Sequence, residues 1–295
     1  MHYIFVINSS PEKSFIHDEV KSQLNGITAS YEVYCTVGPG DATRFVNVYC
    51  DLNPKEEVCF VACGGAGTLN EVVSGMVGKE NKYVATLSYG GTNDLTKCFP
   101  GHDFQSVEKL LKGETKLLDI IKINDNYSIN VSCVGMDAYV TWLAEQWKDL
   151  GKEKAYKKSI LSSLLFHRFN KYKLIIDGKR MGFRRMTLCD FCNGQYSGGA
   201  FRCAPDAEQD DGYMKICCIK SMTLISSLIF IKHFAAGTHL ESRFCRKRLL
   251  YLSAKSAEIY AKDLIYLGFD GETIASTSYK LDVLNKAVKF ILPKK

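Results

Sequence analysis

Between residues 58 and 76 the chain reads VCFVACGGAGTLNEVVSGM, an apolar run, three closely spaced glycines and then a helical pattern. Gly64, Gly65 and Gly67 make a turn without side chains at the end of a strand expected over residues 58–62, opening onto a helix expected from Thr68. Backbone N–H groups and the positive end of the helix macrodipole then face outward, and a phosphate chain approaches glycine backbone more closely than any other. That is the chemistry of an anion cradle, although glycine turns of this kind also occur in α/β domains that bind nothing. The run lacks both the Gly-Lys-Ser/Thr ending of the Walker loop and the Rossmann spacing. A second small-residue loop, Ser88-Tyr89-Gly90-Gly91-Thr92-Asn93-Asp94, follows a strand expected over residues 83–87. Two such loops could face one pocket. Taken alone, Asp94 reads as a helix N-cap, and the later Asp270-Gly271 pair reads as a turn.

The elements that must position these loops alternate. Strands are expected over residues 3–8 and 31–37, with helices over 15–24 and 41–52, and the strand into the first glycine turn follows. Such alternation with short connections argues for a mainly parallel sheet covered by helices, with ligands at the carboxyl ends of the strands. A helix over 104–111 and strands over 116–124 and 127–134 come next, and helical patterns then run to about Phe169. They include a basic stretch at Lys148, Lys152, Lys154, Lys157 and Lys158, read as a solvated face. From Tyr172 onward strands and turns dominate, with a hairpin signal at Asp177-Gly178, so the second half reads as antiparallel and β-rich.

At 295 residues the length suits two domains, and the 46% hydrophobic content is that of a globular protein. A net charge of +6 is mildly basic; it does not demand nucleic acid, and it suits a surface meeting anionic lipid headgroups. The densest basic cluster is Arg243-Phe244-Cys245-Arg246-Lys247-Arg248, read either as headgroup attraction or as a solvated loop. The apolar run 221–236 is broken by Ser226, Ser227, Lys232 and His233, which rules out a spanning helix and favours a core helix over a lipid-admitting surface. The 12 cysteines sit in apolar strand-like runs and read as reduced core residues of a cytoplasmic protein. Cys189-x-x-Cys192 has no second pair nearby and reads as strand packing.

GGAGTLNEVVSG resembles the GGDGTLNEVVNG segment of the diacylglycerol kinase catalytic family, which includes bacterial lipid kinases, sphingosine kinases and ceramide kinases. Further motifs agree in order. The second loop is similar to P-x-G-T-x-N-D, with Ser88 and Gly91 departing and Asn93 and Asp94 matching. INVSCVGMDA, residues 129–138 and including Asn130, is similar to FxNxxSxGxDA. The stretch from Cys192 keeps Asn193, Gly198, Gly199, Pro205, Ala207, Asp211 and Gly212, and Asp270-Gly271-Glu272 matches the family DGE. Ala66 stands where the family has aspartate.

The resemblance implies an N-terminal three-layer α/β domain of the NAD-kinase type, residues 1–124 with a return segment at about 284–295. A β-rich, sandwich-like domain over 125–283 would complete the chain, with an active-site cleft between the two. It implies transfer of the ATP γ-phosphoryl group to a lipid hydroxyl. Asn8, Gly64, Gly65, Ala66, Gly67, Thr68, Glu71, Gly90, Gly91, Thr92 and Asn93 would hold the nucleotide. Asp270 would be the general base, with Glu272 orienting acceptor or base. Asp94 and Asp119 would hold Mg2+ through waters, and Asp211 is the one family position here for a structural Mg2+, without the further acidic ligand that some bacterial members have. The expected partners are a lipid with a free hydroxyl and, peripherally, the anionic inner face of a membrane; edge strands are compatible with a homodimer, and nucleic acid is not expected. Ala66 leaves three accounts open: a low-activity or non-catalytic homologue that binds nucleotide or lipid, a rebuilt network, or a laboratory substitution. An NAD kinase fits less well, because TLNEVVSG and the late DGE follow the lipid kinases.

Overall fold

Apolar strands alternate with amphipathic helices up to the second glycine loop, and most fold as their periodicity dictates. The computed structural model describes residues 1–10, 13–166 and 171–295. It divides into two compact units, Met1–Ile120 with Asn285–Lys295, and Ile121–Leu284.

In the first unit β1 (His2–Ile7), β2 (Tyr31–Cys35), β3 (Val58–Gly64) and β4 (Lys82–Ser88) run parallel in the order β2-β1-β3-β4. The chain's last strand, β13 (Glu272–Leu292), lies parallel to β4 at Lys289 and Phe290. One sheet face carries Phe5, Ile7, Val61, Cys63 and Leu87 against Ile16, Val20 and Leu24 of α1 (Phe15–Leu24) and Val107 and Leu110 of α4 (Val107–Leu111). The four-residue spacing in α1 is what aims its three side chains at one sheet. On the other face Tyr49 of α2 (Asp41–Leu52) meets Phe60 edge-on at 5.7 Å. There α2 also packs on α3 (Ala66–Met76) at Gly75, where a Cβ would stand 2.7 Å from the Thr43 carbonyl oxygen. Helices on both faces of a parallel sheet are the three layers the alternation predicts.

Two helix starts in this unit differ from expectation. The α3 helix starts at Ala66 rather than Thr68, because Gly65 itself is the extended N-cap residue. The helix expected over 104–111 is confined to Val107–Leu111, because the Ser106 hydroxyl caps it by accepting the Lys109 N–H.

The second unit is antiparallel. Its strands β7 (Val131–Gly135), β9 (Lys179–Cys192), β10 (Met214–Lys220), β11 (Leu249–Ala254) and β12 (Ser256–Phe269) pair in the order β11-β10-β9-β7-β12, and β12 then pairs with the first half of β13. The β8 strand (Lys171–Ile176) pairs with β9 and β12. Asp177 and Gly178 both have positive φ, 46° and 74°, as the Asp-Gly hairpin signal requires. The strand expected over 127–134 is instead two, β6 (Asn126–Ser128) and β7, separated at Ile129-Asn130. The N–H groups of Ile129 and Asn130 leave the strand ladder to donate to a carboxylate, that of Asp270.

Helices α5 (Met136–Gln146) and α6 (Lys152–Phe166) realise the helical patterns; the expected extension to Phe169 lies outside the described residues. The reading of all cysteines as reduced is corrected. Cys189 and Cys218, directly opposed on β9 and β10, form a disulfide. Cys192, three positions on, faces the opposite side of the sheet, so the Cys-x-x-Cys spacing on a strand cannot chelate. The core-helix preference for 221–236 is also corrected. In α7 (Leu224–Ala236) Phe230 and Phe234 point into the core, but Ile225, Leu228 and Ile229 are exposed. The cluster at 243–248 is not a plain loop; its first four residues form a helical turn, α8 (Arg243–Arg246). Among the described residues no helix is long and apolar enough to cross a membrane.

Candidate active site

In the first unit the two glycine loops meet. The Tyr89 N–H donates to the Gly64 carbonyl at 2.8 Å, and a Cβ on Gly90 would stand 2.6 Å from the Gly65 Cα and 2.9 Å from the Asn93 Oδ1. Only glycine fits such a backbone approach. A Cβ on Gly64 would likewise collide with the Thr68 Oγ1, whereas Gly91 faces open space. Asn93 takes the left-handed conformation at φ 45°, which bends the second loop. The Asn8 Nδ2, just past β1, donates to the Thr68 Oγ1 at 3.1 Å. Three strand ends are thereby tied into one rim.

No side chain caps α3, and its first turn carries no acid because residue 66 is alanine. The first-turn N–H groups and the helix dipole therefore favour a negative charge from outside. Lys13, which the sequence reasoning missed, adds a cation; its Nζ lies 3.7 Å from where a Gly65 Cβ would stand. Its signal was a lysine shortly after the end of an expected strand.

The other residues proposed for this unit have identifiable partners. The Glu71 carboxylate accepts the Ala42 N–H at 3.1 Å, at the start of α2. Asp94 is buried and pairs through Oδ1 with Lys97 at 2.9 Å; it caps no helix, since a 3-10 turn at Thr96–Cys98 follows it. Asp119, on β5 (Glu114–Ile123), is fully buried and its Oδ1 accepts the Lys286 N–H at 2.6 Å, where Lys286 turns at φ 51°. Gly91 and Thr92 are exposed.

In the second unit Asp270 and Gly271 form the two-residue turn between β12 and β13, both with positive φ, 44° and 97°. The Asp270 carboxylate is drawn inward. Its Oδ2 accepts from the Ser128 hydroxyl at 2.8 Å, the Ile129 N–H at 2.8 Å and the Asn130 N–H at 3.3 Å, and its Oδ1 accepts the Val131 N–H at 3.3 Å. These donors are what break the β6–β7 strand. Burial pushes the carboxyl from its ordinary value of 3.8 up to about 6, opposed by the Ser128 hydroxyl and the three N–H groups. Asn193 braces the same segment: its Nδ2 donates to the Ile129 carbonyl at 2.8 Å and its N–H to the Asn130 carbonyl at 2.8 Å. Oδ1 holds a single long bond from these donors, so it retains acceptor capacity for a hydroxyl. Glu272 is exposed at the start of β13, and Asp211, also exposed, accepts the Tyr213 N–H in a turn of its own. Among the described residues no three His, Cys, Asp or Glu side chains are grouped to hold a metal ion.

A parallel α/β unit with two glycine loops at its strand ends is followed in the chain by an antiparallel unit with a buried carboxylate in a turn. The diacylglycerol kinase catalytic domain matches residues 2–123, and the YegS C-terminal NAD kinase beta sandwich-like domain matches residues 130–292. A probable lipid kinase YegS-like protein of Shewanella frigidimarina is 31% identical over 240 residues, covering 78% of this chain and 75% of that protein. A diacylglycerol kinase of Bacillus subtilis is 24% identical over 90% of this chain and 88% of its own. Among solved structures, a putative diacylglycerol kinase from Bacillus anthracis superposes with a TM-score of 0.76 at 20% identity, covering 99% of this chain and 96% of that one. An NAD kinase from Archaeoglobus fulgidus in complex with ATP has a TM-score of 0.54 at 11% identity, covering 100% of this chain and 94% of its own. The chain belongs to the diacylglycerol kinase family of lipid kinases.

Proposed function

We propose that the chain transfers the γ-phosphoryl group of ATP to a hydroxyl of diacylglycerol or a related lipid. The observation that carries this reading is Asp270, a carboxylate raised to about 6 by burial yet steadied by four donors, which suits a base working near neutral pH. The acceptor hydroxyl gives its proton to Asp270 as its oxygen bonds to phosphorus, and the bond from phosphorus to the ADP oxygen breaks. Gly65, Gly67, Thr68 and Gly90 offer backbone to the phosphates, and Lys13 adds positive charge. Phosphoryl transfer is mainly positioning and charge neutralisation, which these groups supply. Mg2+ would add further neutralisation of the phosphate oxygens, held through waters by Asp94 and Asp119. Glu272 would orient the acceptor, and the basic excess would favour an anionic membrane surface.

Ala66 favours a second reading, a homologue that binds nucleotide or lipid without catalysis. An aspartate at the first position of α3 suits the helix dipole, so Ala66→Asp tests chemistry without loss of fold. ATP-dependent phosphorylation of a lipid panel, with magnesium, should rise about 10- to 100-fold in the A66D variant. Equal turnover in both chains makes that carboxylate dispensable. No product from either, with ATP still raising the melting temperature, replaces the kinase with the binding protein.

A further inference from the structure

Helix α7 turns the wrong face outward for a helix of a water-soluble core. Phe230 and Phe234, four residues apart, pack into the core with His239, while Ile225, Leu228 and Ile229 are 73%, 52% and 45% exposed. Together with exposed Lys232 these occupy positions i, i+3, i+4 and i+7, a single stripe along a helix of 13 residues. Scattered surface leucines are ordinary, but a continuous stripe of large aliphatic side chains is not. The helix is well made. Thr223 caps its start by accepting the Ser226 N–H, and Gly237 closes it at φ 73°.

The charge in the segment around α7 is one-sided. α7 packs on α8, and the segment from Lys220 to Arg248 holds Lys220, Lys232, Arg243, Arg246, Lys247 and Arg248 against one acid, Glu241. Among the described residues, Lys232, Arg243, Arg246 and Lys247 make no ion pair, and the last three are bunched within a helical turn. A helix about 20 Å long is too short to span a bilayer. Apolar residues with lysine at their edge and unpaired cations alongside are what lies flat in a headgroup layer, aliphatic side chains below and ammonium and guanidinium groups among the phosphates.

We propose that the exposed face of α7, with the α8 cations beside it, is the surface by which the chain docks onto an anionic bilayer. The proposal rests on the lipid-kinase reading for its purpose, since a water-insoluble acceptor must be met at its membrane, but its test does not. Co-sedimentation of the full chain with phosphatidylcholine vesicles, with and without phosphatidylglycerol, is measured in the absence of ATP. Binding should require phosphatidylglycerol and weaken as salt rises above about 0.1 M. The I225S/L228S/I229S variant, altered only at exposed positions, should bind about tenfold more weakly with its melting temperature kept. The R243Q/R246Q/K247Q variant should bind about a hundredfold more weakly at low salt. Unchanged vesicle binding in both variants overturns the proposal. So does a serine variant that turns a dimer into a monomer while still binding vesicles, since the stripe is then a subunit face. Absent vesicle binding, with phosphorylation of a dispersed short-chain diacylglycerol intact, overturns the docking surface alone. Docking through α7 with no phosphorylated product supports the surface and overturns the kinase reading.

Discussion

At Gly65 and Gly90 the first unit strips side chains from its backbone, leaving the uncapped start of α3 to attract an anion from outside. At Asp270 the second unit does the reverse: the N–H groups of Ile129, Asn130 and Val131 converge on an anion the chain supplies itself. Asp190, in the same unit, shows what the donors contribute. It sits on β9 between Cys133 and Cys217 of the flanking strands, fully buried, with neither carboxylate oxygen hydrogen-bonded among the described residues. Burial, reinforced by the nearby Asp137 carboxylate and Cys203, pushes it well above the usual carboxylate range, while Asp270 with its four donors rises only to about 6. Donors around Asp270 and a second carboxylate near Asp190 thus separate an acid that can ionise near neutrality from one held protonated.

The comparison breaks first at Asp270. Asp270→Asn keeps an acceptor oxygen but removes the base, so lipid phosphorylation should fall about 100- to 10,000-fold, while the ATP-dependent rise in melting temperature stays. Unchanged turnover ends the assignment of the base.

Next is pH. The folded value of Asp270 lies above its ordinary 3.8, so the fold disfavours the ionised form. Its contribution to stability is full below pH 3.8 and is lost as pH rises to about 6, a change of about 3 kcal/mol. Transfer has the opposite sign and should climb through the same value as the base ionises. Denaturant unfolding and kcat/KM between pH 4 and 8, for the native chain and D270N, read both; a slope as steep in D270N as in the native chain assigns the titration elsewhere.

The smallest effect sharpens the first unit. Gly90→Ala puts a methyl into the Gly65 backbone and should cost about 1–3 kcal/mol together with much of the ATP-dependent stabilisation. Gly91→Ala, which meets open space, should cost little. Thermal unfolding with and without ATP distinguishes them, and equal behaviour would remove the loop contact from the account.

The parallel sheet was legible because local signals agree there: apolar runs bounded by glycine, and helices with apolar residues four apart. The Asp270 turn was legible as Asp-Gly, and its alignment with the DGE motif singled it out. Lys13 was missed because proximity to Gly65 leaves no periodic trace. The break at Ile129-Asn130 was missed because its cause is a carboxylate some 140 positions later. Cys189 and Cys218 looked like core thiols because strand periodicity reports the face of a residue and not its cross-strand partner.

Residue types and spacing by themselves determined the alternating α/β half, the β-rich half and the chemistry of glycine turns and acids, because backbone freedom and hydrophobic period act within a few residues. Tertiary structure alone decided that Gly65 and Gly90 touch, that four donors surround Asp270 while none reaches Asp190, and that α7 shows its aliphatic stripe to the outside. Those outcomes depend on burial and hydrogen-bond partners from distant strands, and no local pattern encodes which strands become neighbours.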